Sequence, residues 1–206
     1  MRWILLTTIA VALVPLQALG QQGPEDFLHE IIKADLLGDP SPRIGHVRFS
    51  NPARQAKYDK AHIAADIVPE AYDLTIDPLV IVTDSKLVSM RDEKRCVSVE
   101  FGVFARTRGQ GLPSWQGKRG REINIESRQH SELIRYCAVQ ANGQWMLLDP
   151  PIPRVRKDVV VAAVEASLAD QEKIIAKLKT NDPRAIKNVT VVRESLQRQL
   201  DTLLGR

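Results

Sequence analysis

The chain has 206 residues, with 29 Lys and Arg against 25 Asp and Glu and a formal net charge of +4. That balance is too mild for the basic footprint of a nucleic-acid binder, and the length only modestly exceeds a compact domain of ~100–150 residues. Two cysteines and four scattered histidines offer neither Cys-x2-Cys nor His-x3-His spacing, so no metal and no cofactor is expected.

At the N-terminus Arg2 precedes an apolar run over residues 3–14, followed by Pro15 and the small-x-small pattern Ala18-Leu19-Gly20. This is the pattern of a secretory signal peptide over residues 1–20, with cleavage expected near Gly20-Gln21. Thr7, Thr8, Pro15 and Gln17 interrupt the run, which falls short of the ~20 apolar residues of a membrane span. A periplasmic or secreted bacterial protein is expected, with no stable transmembrane span after cleavage. Loss of Arg2 leaves 28 basic and 25 acidic residues, a net charge of about +3.

Pro24 suits a first helical position, and Phe27, Leu28, Ile31, Ile32 and Leu36 recur at helical spacing until Gly38 stops the helix. Asp39-Pro40-Ser41-Pro42 breaks the chain. Asn51-Pro52 then supplies an N-cap and a first-turn proline for a second helix ending near Pro69, with Ala56, the Lys60 stem, Ile63 and Ile67 as its expected buried stripe. Tyr58, His62 and Asp66 follow i, i+4, i+8 spacing and share one face of this helix. A Tyr-His-Asp set can polarise a carbonyl and shuttle a proton, but this face lies away from the apolar stripe. Solvent exposure is therefore expected, and the three are weak catalytic candidates.

Residues 71–83 read as loop and strand and residues 86–90 as strand, with Asp92-Glu93-Lys94 turning into the next one. Residues 95–105 alternate, with Val97, Val99, Phe101 and Val103 on one face and Cys96, Ser98, Glu100 and Phe104 on the other. Residues 106–121 carry Arg106, Arg108, Lys118, Arg119 and Arg121 without an acidic residue, plus Trp115 beside Pro113. They read as a solvated connection, or as a mobile basic loop for an anionic ligand, an envelope polymer or an acidic envelope protein. Nucleic acid is unlikely, since aromatic interleaving is sparse. His130 reads as a polar strand residue and is otherwise a weak catalytic candidate.

Asn142-Gly143 between apolar runs signals a two-residue hairpin turn, because both residues tolerate positive φ. Such a turn places Gln140 opposite Trp145, Ala138 opposite Leu147 and Tyr136 opposite Asp149. Antiparallel pairing about a midpoint near Gln116 places Val97 opposite Tyr136, Val99 opposite Ile134 and Cys96 opposite Cys137. In an oxidising compartment that register favours a disulfide, with two buried free thiols as the alternative. The prolines of Pro150-Pro151-Ile152-Pro153 are expected to end the sheet and open a linker over residues 151–157.

In residues 158–179, Val161, Val164, Leu168, Ile175 and Leu178 are near-heptad. After Asp182-Pro183, Ile186, Val189, Val192, Leu196, Leu200 and Leu203 form a second stripe. The two helices are expected to fold back as an antiparallel hairpin joined at Thr180-Asn181. The hairpin either covers the sheet face of Val139, Met146 and Leu148 or serves as a homodimer or partner-binding element.

A helical N-terminal half, Asp77-Pro78-Leu79, the strand from Val97 through Phe101, Ile134-Arg135-Tyr136 and Gly143-Gln144-Trp145 together resemble the nuclear transport factor 2-like superfamily. This is the cone-shaped α+β fold of ketosteroid isomerase-like proteins, and the resemblance, over about residues 24–149, points to uncharacterised exported bacterial members. It implies an α+β domain over residues 21–150, with N-terminal helices packed on a curved antiparallel sheet. The C-terminal antiparallel helical hairpin, residues 158–206, follows as an appendage. This scaffold hosts many unrelated functions, so no catalytic residue is carried over. The expected function is a non-catalytic ligand- or partner-binding accessory protein of the bacterial envelope. The alternatives are a small-molecule isomerase or dehydratase of ketosteroid isomerase-like type and a structural envelope subunit docking through its C-terminal helices.

Overall fold

The computed structural model describes residues 23–59, 80–88, 95–112, 120–178 and 183–206, with the backbone alone at 107–112 and 120–128. The signal-peptide segment, His62, Asp66, Trp115, Lys118 and Arg119 lie outside them, as do Lys60, Ile63, Ile67, Asp77-Pro78-Leu79 and the Thr180-Asn181 joint.

Helix α1 (Pro24–Leu36) begins at Pro24 behind the extended Gly23, has Glu25 and Asp26 in its first turn, and ends before Gly38, which has a φ of 72°. Its buried face holds Phe27, Leu28, Ile31 and Ile32, as the 3.6-residue period requires. A 3-10 turn (Ser41–Arg43) and strand β1 (Val47–Arg48) lead to α2 (Pro52–Asp59). Asn51 caps α2 by accepting the Ala53 and Arg54 N–H groups on Oδ1 at 2.9 and 3.1 Å.

Strands β2 (Val80–Val88), β3 (Cys96–Leu112), β4 (Gly120–Ala141), β5 (Gln144–Leu148) and β6 (Arg154–Arg156) follow, then helices α3 (Lys157–Lys177) and α4 (Pro183–Leu204). The sheet order is β1-β5-β4-β3-β2-β6. The expected register holds: Cys96 pairs with Cys137, Val97 with Tyr136, Val99 with Ile134, Gln140 with Trp145 and Ala138 with Leu147. Asn142 and Gly143 take φ of 51° and 78°, as a type I′ turn demands. Cys96 and Cys137 form a disulfide.

Four expectations are corrected. The sheet is mixed rather than antiparallel, because β1 runs parallel to β5 and β6 parallel to β2. The prolines do not end it: the chain rejoins at Arg154–Arg156, beyond β2, since a proline-rich link lacks donors only while it runs outside the ladder. The expected loop over 106–121 belongs largely to β3 and β4, which stay paired out to Leu112 and Gly120. On α2 it is Gln55 that is buried while Ala56 is exposed, because Gln55 Oε1 accepts the Phe49 N–H at 2.7 Å. A hydrogen-bonded amide, not the apolar stripe, sets that helix's inner face.

The sheet is strongly curled, close to a half-barrel. Connectivity demands it. Leu148 ends β5 level with Cys96, whereas Arg154 starts β6 level with Arg106, at the opposite edge. In a flat sheet those points would lie ~38 Å apart, yet the link between them reaches at most ~22 Å.

Two cores flank the sheet. On one face α1 packs on Val80, Val82, Val97, Val99, Phe101, Val103, Tyr136, Ala138 and Leu147. On the other, Val160 and Val164 of α3 and Leu196 and Leu203 of α4 join Ile81, Phe104, Ala105 and Val155. The C-terminal helices thus share their core with β2, β3 and β6, not with Val139, Met146 and Leu148. Phe104 faces them by alternation, and the bulge in β3 brings Ala105 to the same side, so this part of the sheet offers the larger apolar target.

Candidate functional site

The α1 face contains polar groups that a purely apolar core would exclude. Asp35 follows Leu28, Ile31 and Ile32 at helical spacing, so the geometry that buries those residues buries it too, at 1% exposure. The chain reverses at Gly38, and the 3-10 turn returns Arg43 to the end of α1. There Arg43 Nε donates to Asp35 Oδ1 at 2.7 Å, Nη2 donates to Oδ2, and Nη1 donates to the Pro151 carbonyl at 2.9 Å. This fork ties α1 to the link between β5 and β6.

Arg154 opens β6 on the same side and is 4% exposed. Its Nη1 donates to the Ile152 carbonyl at 2.7 Å and its Nη2 to Glu132 Oε1 at 3.1 Å, while the guanidinium lies 5.4 Å from the centre of the Phe101 ring. Glu132 also accepts Arg106 Nη2 on both oxygens at 3.1 Å. Tyr136, on β4, points its hydroxyl toward Asp35, Arg43 and Arg154. Neither that hydroxyl nor Arg154 Nε has a hydrogen bond of good geometry among the described residues, although both atoms are buried.

Three guanidinium groups thus meet two carboxylates. Burial pushes the Asp35 carboxyl above its ordinary range, against the pull of Arg43 and then Arg154. Burial, reinforced by Asp35, also raises the Tyr136 phenol, so it stays a neutral donor. Asp35 is occupied by a bidentate partner and is poorly placed as a free base. The donors outnumber the acceptors, so the arrangement suits recognition of an acceptor group.

Of the candidate site residues whose side chains are described, Arg106 enters this network. Tyr58 is half-buried rather than exposed: its ring meets Phe49 edge-on at 5.9 Å and its hydroxyl accepts the Gly45 N–H at 3.1 Å. The correction has a packing cause, since Gln55 turns this side of α2 inward. His130 is exposed opposite Val103. Arg108 and Arg121 lie on β3 and β4, paired with Asn124 and Gly111.

Sequence reasoning missed Asp35, Arg43, Glu132, Tyr136 and Arg154. One signal for Asp35 was available: an acidic residue at a core position of an amphipathic stripe. Among the described residues no group of three or more His, Cys, Asp or Glu could hold a metal ion, and no helix is long and apolar enough to cross a membrane. No protein-family model matches the chain, and neither a curated protein nor a solved structure matches it.

Proposed function

We propose that the chain is an exported, non-catalytic binding protein of nuclear transport factor 2-like architecture, whose α1 face receives a ligand bearing an anionic or carbonyl acceptor. The observation that carries this reading is the donor surplus there: among the described residues Tyr136 Oη and Arg154 Nε make no hydrogen bond of good geometry, while Asp35 is held by Arg43. Curling of the sheet around α1 is compatible with a cone. We take α3 and α4 as an antiparallel hairpin, because residues near the start of α3 share a core with residues near the end of α4. Export rests on the N-terminal pattern, and the disulfide suits an oxidising compartment.

Titration calorimetry with benzoate and benzamide, on wild type and Tyr136→Phe, tests the site. The substitution removes a buried hydroxyl that makes no hydrogen bond of good geometry, so stability should change by no more than about 1 kcal/mol while affinity for the probe falls about tenfold, the ~1.4 kcal/mol of one lost hydrogen bond. Unchanged affinity in Tyr136→Phe would place the ligand elsewhere.

The neighbouring Tyr136 phenol and Asp35 carboxyl favour a second reading, a ketosteroid isomerase-like isomerase. It requires exchange of a ketone's α-protons in heavy water, lost in both Tyr136→Phe and Asp35→Asn. Exposed Ile174, Val191 and Val192 on the C-terminal helices favour a third, docking to an envelope partner or a second copy. Lysine at all three positions should then abolish recovery of the partner from envelope extract.

A further inference from the structure

Strand β2 is flanked on both sides only over Val80, Ile81 and Val82, where β6 pairs in parallel on the side away from β3. After Arg156 the chain turns into α3 and leaves. Residues 83–88 are then the outer edge of the sheet, with all but Val88 exposed, and among the described residues no strand pairs with them there. Such an edge presents a row of backbone donors and acceptors to another strand.

The side chains along it are self-complementary. Asp84 and Lys86 are two residues apart and share a face. Within the sheet, Lys86 lies opposite Glu100, and Asp84 lies opposite Gly102, whose N–H donates to Asp84 Oδ1 at 3.1 Å. A second β2 laid antiparallel with its Ser85 against Ser85 puts each Asp84 opposite a Lys86 of the other copy. Charges across the joined sheet would then run Glu100, Lys86, Asp84, alternating in sign, and would repeat by symmetry. The same register sets Leu87, now 50% exposed, across from Thr83. Charged residues on an edge also discourage pairing. Here, however, the directly opposite pairs attract, and the like charges meet only on the longer diagonals.

We propose that residues 83–87 of β2 pair antiparallel with the same residues of a second copy, giving a two-fold dimer with a continuous sheet. The inference is independent of the ligand site. Sedimentation velocity of the full chain over a concentration series should show a monomer-dimer equilibrium. Asp84→Lys alone and Lys86→Glu alone each turn two attractions into two repulsions and should weaken dimerisation at least tenfold. An equimolar mixture of the two variants, each first shown to melt cooperatively, restores both opposite-charge pairs and should recover dimers. Ser85→Cys should cross-link to itself at the two-fold axis under oxidation. A wild type that stays monomeric throughout, or a mixture no better than the single variants, overturns the proposal.

Discussion

Asp35 and Arg43 form the most consequential pair in the molecule, because both are within a few per cent of complete burial. Taking two charges from water costs several kcal/mol per ion, and the fork of hydrogen bonds offsets that cost only while both partners are present. Asp35→Leu alone should therefore destabilise the protein by ~3–5 kcal/mol in urea unfolding, through the stranded guanidinium. The double variant Asp35→Leu with Arg43→Met should be markedly more stable than Asp35→Leu. If both lose the same amount, the pair is not coupled. Asp149 gives a pH signature. Hydrogen bonding from the Ser50 side chain, joined by its backbone N–H, which donates to Asp149 Oδ1 at 3.0 Å, holds its carboxyl below the ordinary value. A carboxyl depressed in the folded state adds stability above its unfolded value of ~3.9, and that stability is lost as pH falls through the lower folded value. Asn tolerates the φ of 46° at this position, so Asp149→Asn removes the charge without straining the turn. The acid-side decline of its melting temperature should be shallower than that of wild type; parallel curves would exclude the contribution.

At the scale of elements, the β3-β4-β5 meander was the most legible part. Alternation assigns faces, Asn142-Gly143 sets the register, and that register led to the Cys96–Cys137 disulfide. The bridge closes a span of 41 residues. Chain-entropy arguments assign such a loop up to ~4 kcal/mol, so reductant should lower the urea midpoint by an equivalent amount without changing the slope much. No shift would mean that pairing of the strands already restricts the unfolded chain. Helix α1 was equally plain, since one apolar period runs from Phe27 to Leu36 and stops at glycine. Helix α2 was misread because its inner face depends on the Gln55 amide bonding to Phe49, a contact between segments that no periodicity records. The reach of β3 and β4 beyond residue 106 was missed for a related reason: glycines and arginines signal a loop locally, while the ladder already set by Val97 and Tyr136 carries the pairing onward.

For the whole molecule, the question is whether α3 and α4 are an appendage or part of the body. They share a core with Ile81, Phe104, Ala105 and Val155, all buried, so their removal would bare that face of the sheet. A chain ending at Pro153 also loses β6, and with it Arg154. Such a truncation should aggregate or bind a hydrophobic dye, whereas a soluble, cooperatively melting product would make residues 21–150 an independent domain. The sequence by itself determined what repeats at short range: the stripe of α1, the alternating strands, the turn, the register and the disulfide partners. Those patterns follow from backbone periodicities of 3.6 and 2 residues, which each segment carries alone. Only the tertiary structure decided the parallel edges β1 and β6, the sheet's curl and the network of Asp35, Arg43, Glu132, Tyr136 and Arg154. Each of these unites segments far apart in the chain, where polar residues look like ordinary surface until a short link forces the sheet to close around them.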